Sequence, residues 1–188
     1  LPILRELPFR WAAEKTEQGK AYIKEEYLMK AIVLGAGRIG KVHCESIMCY
    51  VKNATVKTVA DPFMNSDTEK WLKDMGVEKV TKDYRDIIND KDIDAVLICS
   101  STDTHAPISI EAIKAGKHVF CEKPVDHDID KIIEVKKALQ GSKVKYQVGF
   151  NRRFDHNFAA VREAVKAGKI GNLNVLKICS RDPAAPPV

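Results

Sequence analysis

The stretch Lys30 to Gly40, KAIVLGAGRIG, constrains this chain more than any other. Its apolar run Ala31-Ile32-Val33-Leu34 is rich in β-branched residues and suits a strand buried on both faces. The run ends in Gly35-Ala36-Gly37-Arg38-Ile39-Gly40, a G-x-G-x-x-G between a strand and a helix-tolerant segment. Gly35 is expected to make a tight turn, Gly37 to let backbone approach a pyrophosphate, and Gly40 to permit close helix–strand packing. Arg38 and Ile39 lie in this loop, and the helix after it offers free N–H groups and a partial positive charge that suit phosphate. An acidic residue, Asp61, ends a second strand-like run, Val56 to Ala60, at about the ~20-residue distance where a carboxylate meets ribose hydroxyls. Taken alone, the loop could be a structural glycine turn; its setting points to a dinucleotide.

The rest of the chain alternates strand and helix. Lys41 to Tyr50 reads as the first helix. Ser66 to Met75 reads as the second, capped by Ser66 or Asp67 and stopped by Gly76. Lys79-Val80-Thr81 is a short strand, and Asp83 caps a helical turn over Tyr84 to Asn89. Ala95 to Cys99 is the most apolar run and suits a central strand. A helix follows from Ile108 to Ala115, a strand over His118 to Cys121, a helix over Asp128 to Gln140, and a strand over Val144 to Phe150. This order predicts an α/β Rossmann-type doubly wound parallel sheet. In such sheets ligands bind outside the carboxyl ends of the strands. Two corners are therefore of interest, Ser100 to Pro107 and Glu122-Lys123-Pro124.

With 188 residues the chain can hold one full core, or one domain and part of another. The net charge of +5 is spread without a basic block, which gives no reason to expect a nucleic-acid partner. No run approaches the ~18 apolar residues of a membrane span. Five scattered cysteines without C-x-x-C spacing argue for reduced thiols in the cytoplasm, with no disulfide framework and no metal site. Residues 1–28 lack an initial Met and precede Met29, which stands just before the first strand; they read as a non-native leader. A surface helix over Ala12 to Leu28 is the competing reading.

Glu-Lys-Pro after a strand, downstream of this glycine loop and of Thr102-x-x-His105, resembles the glucose–fructose oxidoreductase, inositol dehydrogenase and rhizopine-catabolism family. The similarity covers Met29 to Val188. Gln147 to Asp155 and the proline-rich Ser180 to Pro187 resemble its inositol 2-dehydrogenase branch. The resemblance implies an NAD-dependent dehydrogenase that oxidises a secondary alcohol of a cyclic polyol or sugar. Other sugar substrates in the family, or a non-catalytic NAD-binding module, are the alternatives. It also implies a dinucleotide-binding domain over 29–152 and, over 153–188, the incomplete beginning of an α+β substrate domain whose first strand is about Leu173 to Ser180. Whole members are commonly homotetramers built through that second domain. The family's Asp-x-x-x-His pair has no counterpart among these 188 residues.

Carried over residue by residue, the catalytic lysine is Lys123. Burial and the charge of an oxidised nicotinamide are expected to lower its pKa from ~10.4, or, if it stays charged, it polarises the substrate oxygen. The resemblance also implies a cis bond between Lys123 and Pro124. Asp61 should bind ribose hydroxyls and repel a 2′-phosphate, and Pro62 offers no neutralising cation, which favours NAD over NADP. Arg38 argues the other way. Ser101, Thr102, His105 and Glu122 are expected along the cofactor cleft, His105 as a helix cap or cleft lining. Arg152 either ends the sixth strand near the nicotinamide or pairs with Asp155. His43 and Cys44 are expected simply to pack, and Cys121 to be buried in its strand.

Overall fold

The computed structural model describes residues 28–179 and 181. The leader expected over 1–28, Leu28 apart, and the loop Ser180 to Pro187, Arg181 apart, lie outside the described residues.

Among the described residues six strands are present: β1 (Met29–Leu34), β2 (Ala54–Ala60), β3 (Lys79–Thr81), β4 (Ala95–Ile98), β5 (His118–Cys121) and β6 (Tyr146–Val148). They form one sheet in the order β3-β2-β1-β4-β5-β6, and every pair is parallel. Helices α1 (Arg38–Tyr50), α2 (Ser66–Asp74), α3 (Thr102–Lys114) and α4 (Ile129–Leu139) supply crossovers, and a 3-10 turn, Tyr84–Asp86, follows β3.

The apolar runs explain the layering. In β4, Ala95 and Leu97 join a core with Val33, Val59, Cys44, Ile47 and Leu72, under α1 and α2. Val96 and Ile98 join the opposite core with Ile32, Ala112, Ile113 and Val135, under α3 and α4. A strand covered on both faces must be apolar at every position. Burying one such Leu, Ile or Val contributes about 1.5–3 kcal/mol, so the two cores hold the rim of the sheet firmly.

Three local expectations are corrected. The cap of α2 is Asn65, whose side chain accepts from the Thr68 N–H at 2.9 Å; Asp67 instead sits in the first turn, where a carboxylate meets the positive helix end. Helix α1 begins at Arg38, three residues early, and takes Gly40 inside it. Helix α3 begins at Thr102, six residues before Ile108, with Pro107 within it. A proline in the second turn deprives only the Asp103 carbonyl of its helical partner, so it does not end the helix.

The chain divides into two compact units that part between Gly149 and Phe150. Strand β6 ends at Val148, short of the expected Phe150. The second unit contains a 3-10 turn, Asn151–Phe154, and α5 (His156–Lys166), capped by Asp155, which accepts from the N–H groups of Asn157 and Phe158. Residues 173–179 form no strand, contrary to expectation, and Val175 and Ile178 are largely exposed. Among the described residues of this unit no other strand is available to pair with them, and a lone strand leaves its backbone groups to water.

Candidate functional site

The site is built from the carboxyl rim of the sheet. Cross-strand partners Ala60, Leu34, Ile98, Cys121 and Val148 stand level. The residue after each of four strands extends the ladder by one bond. Gly35 N–H donates to Ala60 O at 2.8 Å, Cys99 to Leu34 O at 2.8 Å, Glu122 to Ile98 O at 2.9 Å and Gly149 to Cys121 O at 2.7 Å. The glycine turn, the β4 corner and Glu122-Lys123 therefore leave the same rim. Strand order reverses between β1 and β4, where a crevice opens in such folds.

The glycines fit a bound diphosphate. Gly35 has φ +95°, and a Cβ there would lie 2.7 Å from Cys99 O and Ser100 N. A Cβ on Gly40 would lie 1.8 Å from Gly35 O, so α1 presses directly on the turn that precedes it. Nothing comes within 4 Å of a Cβ placed on Gly37, which leaves that side open to a ligand oxygen. Gly37 is also the N-cap of α1 and supplies no side-chain acceptor; the exposed Arg38 and the half-buried Ile39 follow it, and no acidic residue occupies the first turn. The first N–H groups and the positive helix end are thus offered to an anion.

Asp61 is fixed by its own neighbours. Its Oδ2 accepts from the Ala36 N–H and its Oδ1 from the Phe63 N–H. Each carboxylate oxygen keeps a lone pair for a ribose hydroxyl. A cavity of about 520 Å³ opens beside it, lined among others by Gly35, Gly37, Asp61, Ser100, Ser101 and Thr104. Lys82 and Arg85 line it as well, and Arg85 pairs with Asp83 at 3.5 Å. The sequence reading missed these cations, although the strand-end rule that pointed to β4 and β5 applies equally to β3. Ser101 is the N-cap of α3, and its carbonyl accepts from Thr104 Oγ1 at 2.7 Å, while Thr104 also meets Ser100 Oγ at 2.6 Å. Thr102 is the first residue of that helix and half-buried.

The β5 corner is arranged differently. Lys123 and Pro124 are exposed, and the bond between them is cis. The burial expected for Lys123 is not supplied by the surrounding chain. Its neighbour Glu122 turns to His43 of α1, whose Nε2 stands 2.8 Å from Oε1, both side chains being about seven-eighths buried. His43 is therefore more than packing: its ring also meets Phe120 edge-on at 5.0 Å. Burial pushes the Glu122 carboxyl up, but the His43 bond and charge outweigh it and hold the group below the usual carboxylate range.

His105 neither caps α3 nor lines the cavity. It is 2 % exposed, with Nδ1 2.7 Å from Pro124 O and Nε2 3.0 Å from Ser100 O. Burial opposes its charge, yet the Cys121 side chain and the Pro124 and Ser100 carbonyls push its pKa up to about 9. Cys121 itself is buried in β5, as expected, and its thiol donates to Glu122 O at 3.2 Å. Burial pushes the Cys44 thiol up to about 11 and Cys99 higher still, so neither is a ready nucleophile. In the second unit, Arg152 lies in the 3-10 turn rather than at a strand end, its guanidinium 5.3 Å from the Phe158 ring; Asp155 is engaged as a cap. Among the described residues no cluster of three His, Cys, Asp or Glu could hold a metal ion, and no helix is long and apolar enough to cross a membrane.

Residues 29–150 match the sequence model of an oxidoreductase family described by its NAD-binding Rossmann fold. The chain is 44% identical over 164 residues to a myo-inositol 2-dehydrogenase of Thermotoga maritima, covering 85% of this chain and 47% of the relative. It is 45% identical over 156 residues to an inositol 2-dehydrogenase of Rhizobium meliloti, covering 83% and 46%. Among solved structures, a scyllo-inositol dehydrogenase from Lactobacillus casei with bound NAD(H) and scyllo-inositol aligns with a TM-score of 0.72 at 35% identity, over 77% of this chain and 43% of that one. The chain thus spans about half the length of the relatives it matches.

Proposed function

The chain belongs to the oxidoreductase family with the NAD-binding Rossmann fold, and from that premise we propose that it is the dinucleotide-binding half of a cyclic-polyol dehydrogenase, with myo-inositol as the first substrate to test. The observation that carries this reading is the level rim. It sets the glycine turn, the Asp61 carboxylate and the Lys123 corner on one edge, with about three strand spacings, ~14 Å, between the β2 and β5 ends.

In this reading Gly35, Gly37, Arg38, Ile39 and Gly40 hold the diphosphate at the start of α1. Asp61 accepts from the adenosine ribose hydroxyls, and Ser101 and Thr102 flank the crevice at the start of α3. Glu122, Lys123 and Pro124 belong to the nicotinamide side, with His105 beneath it. Bound NAD supplies a ring that takes up hydride from a carbon bearing a hydroxyl. Lys123 holds that hydroxyl oxygen through its ammonium and steadies the charge it gains as its proton leaves. Residues 153–188 open a substrate domain that completes proton transfer. The reading puts the whole protein in the cytoplasm, in keeping with the five free cysteines among these 188 residues, and assembles it as a homotetramer.

The test has two stages. The 188-residue chain is titrated with NADH and NADPH by fluorescence, and it is expected to bind NADH more tightly and to turn over negligibly. The full-length gene product is then assayed with myo-inositol, scyllo-inositol and glucose by NADH absorbance. NADH binding without turnover of any polyol points to a non-catalytic module; turnover of glucose alone points to a different sugar dehydrogenase; absence of NADH binding overturns the reading.

A further inference from the structure

Two histidines that the proposed reaction does not use grip the residues on either side of Lys123. Before it, the Glu122 carboxylate is held on three sides. His43 meets Oε1, the Lys123 N–H donates to Oε2 at 3.2 Å, and Gly149 lies so near that a Cβ there would stand 3.1 Å from the carboxylate. After it, the Pro124 carbonyl faces Nδ1 of His105, whose other nitrogen faces Ser100 O. Two carbonyls can only accept, so both ring nitrogens of His105 must donate.

The two ties come from different helices. His43 is on α1, which starts at the glycine turn, and His105 is on α3, which starts at Ser101. Each joins a helix whose first turn faces the dinucleotide rim to the loop bearing the amine. Lys123 itself is exposed, and a lysine side chain carries about 2 kcal/mol of rotamer entropy, so its reach is set chiefly by where its backbone is anchored. A tie needed for stability alone would be served as well by apolar packing, since replacing a buried ion pair by hydrophobic residues is often neutral or stabilising.

We propose that His43, through Glu122, and His105, through Pro124, are positioning residues that fix the Lys123 amine relative to the helices that hold the dinucleotide. The inference rests on Lys123 being the residue that meets the substrate oxygen. Misplacing a reacting group by about 1 Å can cost ~10²-fold in rate, so the ties should be read in kcat rather than in cofactor affinity.

The experiment uses the full-length gene product with NAD and myo-inositol. His43→Phe keeps the ring against Phe120 but loses the donor; it is expected to lower kcat by ~10–100-fold with NADH affinity within about twofold. His43→Gln, which can still donate to the carboxylate, is expected to recover most of that loss. His105→Gln, which keeps donors for one carbonyl, is expected to fall between. Hydrogen exchange supplies a readout other than activity: peptides spanning Glu122 to Val125 should exchange faster in His43→Phe, while those of α2 should not change. Should His43→Phe fail to fold, Glu122→Gln tests the same tie from its other end. Lys123→Met separates the two levels: retained turnover there overturns the role of Lys123, and the inference with it. Lost turnover in Lys123→Met, together with unchanged kcat and unchanged exchange in both histidine variants, overturns the inference alone.

Discussion

The β1–β2 rim and the β5 corner do their positioning by different means. At the first, backbone shape does the work: Gly40 lets α1 press on Gly35, and Asp61 is pinned by the main-chain N–H groups of Ala36 and Phe63. At the second, side chains do it. His43 reaches Glu122 across 79 residues and His105 reaches Pro124 across 19. The comparison teaches that the glycine turn is set by main-chain shape and main-chain N–H groups, whereas the place of the proposed reactive amine is set by side chains that meet across the core. Damage to the cradle should therefore abolish binding, and damage to the corner should spare binding and lower turnover.

The largest effect is expected at Gly40. Its Cβ would stand 1.8 Å from a main-chain oxygen, so Gly40→Ala must displace α1 or the turn. The cost should reach or exceed the ~1–3 kcal/mol typical of overpacking, seen as a lower urea midpoint, with NADH affinity lost. Wild-type affinity in a folded Gly40→Ala variant would break the comparison. Asp61→Ala should come next. It removes the proposed ribose acceptor and leaves the Ala36 and Phe63 N–H groups without their carboxylate. Hydrogen bonds to charged groups are worth about 1.5–3 kcal/mol, so NADH affinity should fall ~10–150-fold while NADPH loses less. Equal losses for both nucleotides would mean that Asp61 does not discriminate at the 2′ position.

These two predictions follow parts of the molecule that can be read from sequence, and the reason is spacing. The strand periods and the G-x-G-x-x-G are short-range patterns, so the parallel sheet and the tight glycine turn were legible in KAIVLGAGRIG and in the run ending at Ala60. Pro107 concealed the start of α3, because its effect depends on which carbonyl it deprives and not on its presence alone. The roles of His43 and His105 were not legible. Nothing adjacent in sequence marks a histidine whose partner arrives from another strand, and both read as packing or cap residues. The expected strand after Leu173 failed for a related reason, since a strand depends on partners that its own sequence does not specify.

A smaller effect should appear in stability against pH. His105 binds its proton more tightly in the fold, at about 9 against an ordinary 6.5. Its contribution is fully present below pH ~6.5 and is lost as pH rises through about 9. Glu122 is shifted down, so its contribution is present above the ordinary carboxylate range and lost as pH falls through its lowered value. The melting temperature should form a plateau with falls on both sides. His105→Gln should flatten the alkaline fall and Glu122→Gln the acid one; unchanged limbs would remove both groups from the account. The smallest effect is expected at Phe63, which is 90% exposed: Phe63→Ala should change stability by no more than about 0.5 kcal/mol in urea unfolding.

The most direct test is a crystal structure of the full-length gene product with NADH. The account predicts the adenosine ribose on Asp61, the diphosphate over Gly37 and the nicotinamide ring beside Lys123, within a contact distance of ~4 Å of its side chain. A nicotinamide ring at the Lys82–Arg85 end, or a dinucleotide that leaves Lys123 untouched, would contradict it.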